Sequence, residues 1–207
     1  MREVDRSFWE RHAARYDLSL RILGRPIPRM VELASDAVRG LDRVLEVAAG
    51  TGVVSVGLAR SARSLVATDY AEAMLRLLKR RLDEEGLSQV QCEQADLYRL
   101  RFPDGTFDAV VGANVLHLVP DFEAAIASLR RVLKPRGLLI VPTFVHDETL
   151  VSWTLSRLLA LTGFPGRRRF SGRSLEEALE RSGLAVQRSE TIPGIIPIHY
   201  VQGRFLA

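Results

Sequence analysis

The chain has 207 residues, 47% of them hydrophobic and 26% charged, with a formal net charge of +4. That is enough chain for one domain with a full core, and no stretch approaches the roughly 20 apolar residues that cross a membrane as a helix. The single cysteine, Cys92, excludes an intrachain disulfide and a cysteine-rich metal centre, so no metal is expected.

The start, Met1-Arg2-Glu3-Val4-Asp5, is charged and carries no apolar leader, so a cytoplasmic location is expected. About forty residues precede the first strand. Within them Phe8, His12 or Ala13, and Tyr16 recur at helical spacing, which predicts an amphipathic helix packed on the edge of the domain. The first strand is expected near 43–48. Its run Val44-Leu45-Glu46-Val47 lacks apolar/polar alternation, as in a strand covered on both faces of a parallel sheet, and Glu46 is the anomaly in it. A turn of small residues follows, Ala48-Ala49-Gly50-Thr51-Gly52, then a helix near 53–61 whose free N–H groups point back at the turn.

Strands are next expected near 64–68, 90–93, 107–113 and 138–144, and helices near 72–85 and 122–133. Gly86 stops one helix, Lys134-Pro135-Arg136-Gly137 the other, and Pro103-Asp104-Gly105 turns into the strand at 107. Cys92 falls in a strand and reads as a packing residue. The segment 147–170 carries Leu150, Val151, Trp153, Leu155, Leu158, Leu159 and Leu161, apolar around more of a helix than one core stripe requires. Burial in the domain, a dimer interface, an apolar acceptor pocket and a membrane-surface contact all suit it. Arg167-Arg168-Arg169 follows, either a solvated loop or an attraction for an anionic partner. Two last strands, 184–191 and 199–206, flank Pro193-Gly194-Ile195-Ile196-Pro197; with no helix between them they pair antiparallel or lie apart. Strands alternating with helices define an α/β domain with a mainly parallel sheet. Zinc-finger spacing, an aromatic stacking motif and a basic helix are all missing from the sequence, so nucleic acid is not an expected partner.

The turn after the first strand admits three nucleotide readings. A P-loop needs Gly-Lys-Ser/Thr, whereas Val53-Val54-Ser55 follows Gly52. A dinucleotide fingerprint needs a third glycine, and that position is Ser55. The pattern Glu46-x-Ala48-x-Gly50-x-Gly52 instead resembles motif I of the class I S-adenosylmethionine-dependent methyltransferases, with Ala48 in place of the first glycine. The methyl group of Ala48 is expected to be tolerated at a negative φ.

In a doubly wound sheet the ligand lies beyond the strand C-termini, at the switch in strand order. Asp69 follows the second strand, placed to accept hydrogen bonds from both ribose hydroxyls or, more simply, to cap the next helix. Tyr70 stands beside it. Asp96 follows the third strand, and Asn114-Val115-Leu116-His117 the fourth. From Ala95-Asp96 through Phe102-Pro103-Asp104-Gly105-Thr106-Phe107-Asp108 to Leu116-His117 and Leu133-Lys134-Pro135-Arg136-Gly137, the chain resembles the small-molecule methyltransferases of the ubiquinone/menaquinone-biosynthesis type.

That resemblance implies a Rossmann-like, doubly wound sheet of seven strands, mostly parallel with an antiparallel C-terminal strand, and helices on both faces. It implies S-adenosyl-L-methionine as cofactor and S-adenosyl-L-homocysteine as product. Glu46 would face the methionine end, lined by the backbone of Ala48, Gly50 and Gly52. Asp69 would hold the ribose, Tyr70 the adenine, Asp96 and the Leu97 backbone the adenine edge. Asn114 would sit beside the methionine portion, and Tyr16 would reach the cofactor carboxylate.

One domain, 1–207, is expected, divided into an N-terminal helical lid (1–40), a cofactor-binding core (41–145), a helical substrate cover (146–183) and a C-terminal strand pair (184–207). Methyl transfer from a sulfonium is an in-line displacement that positioning and desolvation accelerate. Where the acceptor must lose a proton, His117 is the first candidate as base or orienting group, with His146 and His199 behind it. The expected partner is a small-molecule acceptor, apolar or lipid/quinone-like, with peripheral membrane contact and a homodimer as further expectations. Phospholipid amine N-methylation and an NAD(P)-binding oxidoreductase are the alternatives; the second lacks a Tyr-x-x-x-Lys hydride site.

Overall fold

The computed structural model describes residues 7–13, 26–145 and 168–206. Tyr16, His146, Arg167 and most of the expected substrate cover lie outside them. The expected N-terminal helix is present at residues 7–13 (α1). A second helix, α2 (Pro26–Ala37), follows it; it falls within the expected helical lid 1–40 but is not placed there as an element by the sequence. Two prolines in its first turn read as breakers, yet that turn makes no use of their missing N–H groups. Its buried residues Pro26, Ile27, Met30, Leu33 and Ala34 recur at helical spacing.

The core strands and helices then alternate as β1 (Val44–Val47), α3 (Val53–Ser61), β2 (Leu65–Asp69), α4 (Glu72–Glu84), β3 (Gln91–Gln94), β4 (Phe107–Val111), α5 (Phe122–Val132) and β5 (Leu133–Ile140). After them come β6 (Thr143–Phe144), α6 (Gly172–Arg181), β7 (Leu184–Ile192) and β8 (Ile198–Phe205). The strand expected at 138–144 differs from what is observed in two ways. It begins early, at Leu133, because Lys134–Gly137 is absorbed as an irregularity against β4, with Arg136 at φ +62°. It also breaks at Val141-Pro142, since proline has no N–H to donate, and resumes as β6 in the register β5 already keeps with β8.

Hydrogen bonding orders the sheet β3-β2-β1-β4-β5-β8, with β7 on the far side of β8 and β6 prolonging β5. Pairs β1 to β5 are parallel, and β8 runs antiparallel to both β5 and β7. With β6 counted as a continuation of β5, this is the expected seven-stranded, mostly parallel sheet. The chain moves outward from β1 through β2 to β3, then jumps back to β4 on the other side, so the switch point lies between β1 and β4.

Helices cover both faces. On one face α2 and α3 pack Ile27, Met30, Leu33 and Leu58 against Val44, Ile198 and Tyr200, and α4 adds Leu75, Leu78 and Leu82 over Ala67. On the other face α5 and α6 bring Phe122, Ile126, Leu129, Leu175 and Leu179 onto Leu45, Val110, Leu139 and Val201. All four residues of β1 are buried. That central position puts Glu46 in the interior.

Candidate active site

The strand ends on either side of the switch point line a cleft open to solvent. Its floor is Glu46 and the turn Ala48–Thr51 after β1, and one wall is Ala113 and Asn114 after β4. The other wall is Ile27 and Met30 of α2, with Val53 and Val54 opening α3.

Two polar side chains define its chemistry. Glu46 is only 1% exposed, and its Oε2 accepts a 2.5 Å hydrogen bond from the Ser55 hydroxyl. Burial pushes the Glu46 carboxyl up to about 8, with the Ser55 bond opposing the shift and the nearby Asp69 charge adding to it. Ser55, at the position where a dinucleotide fingerprint carries its third glycine, therefore has a defined task that the sequence did not disclose. Asn114 is also buried; its Nδ2 approaches Met30 Sδ at 3.7 Å, while its Oδ1 has no hydrogen-bond partner. A buried amide oxygen left unsatisfied beside a cleft costs roughly 1–3 kcal/mol, and a donor entering the cleft removes that cost.

Backbone conformation corrects one expectation. Ala48 has φ +52°, so its methyl group is carried in the left-handed region and not at negative φ. Asn114 across the cleft is at φ +53°. Two non-glycine residues held this way are a local strain, of the kind that persists where the surroundings over-determine a site. Gly52, at φ +85°, does not line the cleft; a Cβ there would meet Leu78 Cδ1 at 2.6 Å, so this glycine allows α3 and α4 to approach.

Asp69 joins the two loops. Its Oδ2 accepts from the Gly50 N–H at 2.8 Å and its Oδ1 from the Ala71 N–H at 2.9 Å. It is not the cap residue of α4: that position is Ala71, which has no side-chain acceptor. Burial raises the Asp69 carboxyl to about 6, against the pull of the Ala71, Gly50 and Tyr70 amides. A carboxylate has about four lone-pair sites, so these three amides leave Asp69 acceptor capacity for an incoming hydroxyl.

Tyr70 is half-buried beside it, its carbonyl held by Gln94 Nε2 at 3.0 Å. Asp96 folds its own turn, its Oδ1 accepting from Tyr98 N at 3.0 Å, with Leu97 buried between them. Glu46, Ala48, Gly50 and Asn114 thus line one cleft, and Asp69, Tyr70, Asp96 and Leu97 stand on the neighbouring strand ends. His117 is 3% exposed and edge-on to the Phe144 ring, its carbonyl accepting from Arg168 N at 3.1 Å. It is not among the residues lining the cleft. His199 is engaged on both ring nitrogens, by Thr191 Oγ1 and Glu176 Oε1, each at 2.7 Å. Among the described residues no group of three or more His, Cys, Asp or Glu is arranged to hold a metal. No described helix is long and apolar enough to cross a membrane.

A cleft at the β1/β4 switch with carboxylates after successive strands is the arrangement at which doubly wound proteins take nucleotide-type ligands. Residues 44–137 match a family model described as a methyltransferase domain. Over 145 residues the chain is 39% identical to the ubiquinone/menaquinone biosynthesis C-methyltransferase UbiE of Teredinibacter turnerae, covering 66% of this chain and 57% of that protein. Over 139 residues it is 38% identical to the demethylmenaquinone methyltransferase of Thermus thermophilus, covering 64% and 62%. It therefore spans about three-fifths of the length of these curated relatives. Among solved structures, that of DhpI in complex with SAH matches with a TM-score of 0.77 at 26% identity, covering 98% of this chain and 96% of that one. The chain is thus similar to the class I S-adenosylmethionine-dependent methyltransferases, through a methyltransferase domain over residues 44–137 and through these relatives.

Proposed function

We propose that the chain moves a methyl group from S-adenosylmethionine to a small-molecule acceptor, with an apolar, quinone-like carbon as the first acceptor class. The observation that carries the cofactor reading is Asn114, buried with its Oδ1 unsatisfied, on the wall of a cleft that the buried Glu46 also lines: an acceptor and a latent anion stand beside the space a cationic donor would fill. The acceptor class is supported by the names of the relatives, both enzymes of quinone biosynthesis.

The bound cofactor supplies an activated sulfonium methyl. Around it, Glu46 and Asn114 would take the ammonium of the methionine portion, and the Gly50 turn its backbone contacts. Asp69 would accept the ribose hydroxyls, while Tyr70 and the Asp96-Leu97 turn would flank the adenine. Ile27 and Met30 line the same cleft with apolar surface, which strengthens charge interactions beside them. His117 is buried outside the lining of this cleft, so the role proposed for it, orienting the acceptor or taking its proton, holds only for an acceptor that reaches past the cleft wall.

Incubation with methyl-labelled S-adenosylmethionine and three acceptors tests this: a demethylated quinol, phosphatidylethanolamine vesicles and a primary amine. Label in the quinol supports the reading. Label only in the phospholipid replaces it with amine methylation at a membrane surface, and label only in the primary amine, or S-adenosylmethionine bound with no label transferred, refutes the acceptor class.

A further inference from the structure

Three consecutive amides open α4, and each is held by a carboxylate that α4 does not own. Ala71 N donates to Asp69. Glu72 N and Ala73 N donate to the two oxygens of Glu10, at 2.7 and 3.0 Å, across more than sixty residues of chain. The cap residue Ala71 has nothing to offer these donors, which the first turn of a helix always leaves unsatisfied. Around this contact Ala13 of α1 packs with Ala71, Ala73 and Met74, and Trp9 covers the same cluster.

We propose that Glu10 is a positioning residue for cofactor binding: by clamping α1 onto the first turn of α4, it fixes the Asp69–Tyr70 turn that receives the ribose and adenine. The inference rests on the cofactor reading above. The segment before the sheet is thereby attached to the nucleoside half of the site. Its expected role as an acceptor cover shifts, for α1, to closing the edge at which the nucleoside enters. The Asp69 carboxylate holds Gly50 N with its other oxygen, so a turn released at Ala71–Ala73 also loosens the glycine loop on which the methionine end lies.

Amide hydrogen exchange and calorimetric titration with S-adenosylhomocysteine and with adenosine, on the full chain, test the proposal together. In Glu10→Ala the Glu72 and Ala73 amides lose at least tenfold protection, and both ligands bind about tenfold more weakly, because the affected half is common to them. Thr106→Ala controls for general loosening. It removes a turn hydrogen bond to the Pro103 carbonyl just before β4, at the end of the strands opposite the cleft, and leaves both affinities unchanged. Glu10→Gln, which keeps one acceptor oxygen, falls between wild type and alanine. Unchanged protection in Glu10→Ala overturns the clamp. Lost protection with wild-type affinity, or an equal loss in Thr106→Ala, overturns the positioning role. Wild-type chain that binds neither ligand overturns the cofactor reading and this inference with it.

Discussion

Replacing Glu46 by glutamine keeps the shape of the side chain and the acceptor for Ser55, and removes one ionisable group from the centre of β1. The folded carboxyl titrates at about 8 against 4.5 in a solvated chain. Between those values the native state holds a proton that the unfolded state has released. Stability from this group is therefore full below about pH 4.5 and is lost as the pH rises through 8. Each unit of difference is worth about 1.4 kcal/mol, so the wild type should lose on the order of 3–5 kcal/mol relative to Glu46→Gln across that window. At roughly 2–4 °C per kcal/mol for a chain of this size, the melting temperatures of the two proteins diverge by on the order of 10 °C between pH 5 and pH 8.5. Scanning calorimetry at five pH values measures it.

The same proton reports on binding. A cationic ligand group beside Glu46 favours the carboxylate, so wild-type protein at pH 7 releases close to one proton per S-adenosylhomocysteine bound, seen as a dependence of binding enthalpy on buffer ionisation enthalpy. Glu46→Gln releases none, and at pH 9 the wild type releases none either. A melting difference independent of pH, with no buffer dependence of the enthalpy, would refute the reasoning, because it would mean that Glu46 is already ionised in the free protein.

Asp69→Asn puts an amide donor where one oxygen now accepts from a backbone N–H. It should weaken S-adenosylhomocysteine binding by about 1–3 kcal/mol, or roughly 5- to 150-fold, in a calorimetric titration at pH 7.5; an unchanged affinity counts against a ribose role. Ala48→Gly relieves a left-handed alanine, worth about 1–2 kcal/mol, and gives back part of that in unfolded-chain entropy. A net gain of roughly 0.5–1 kcal/mol is expected by urea denaturation, and a loss would show that the methyl group packs favourably. Gly52→Ala must push Leu78 away and adopt positive φ, at a cost of about 2–4 kcal/mol; shortening Leu78 to alanine in the same chain should recover the steric part and leave the φ part.

Much of the site was legible because a doubly wound sheet returns its strand C-termini to one edge. A residue's place after a strand then suffices to put Glu46, Asp69, Asp96 and Asn114 there, whatever the helices do. What was not legible depends on contacts between segments far apart in the chain or on backbone angles. Ile27 and Met30 line the cleft from α2, a helix hidden behind Pro26 and Pro28. Ser55 looked like a missing glycine, and only the fold shows its hydroxyl on Glu46. Glu10 reaches α4 through tertiary docking that no local pattern encodes. The φ of Ala48 is set by the turn it sits in, and a sequence that places alanine at a glycine position does not say whether the turn relaxed to suit it. The break at Pro142 was in principle readable, since a proline cannot serve a central ladder.

The central claim is that the cleft between β1 and β4 takes S-adenosylmethionine. Calorimetric titration of the same protein with S-adenosylhomocysteine and, separately, with NAD tests it most directly. The account predicts saturable binding of S-adenosylhomocysteine at one site per chain and no binding heat from NAD. Saturable NAD binding with no response to S-adenosylhomocysteine would contradict it.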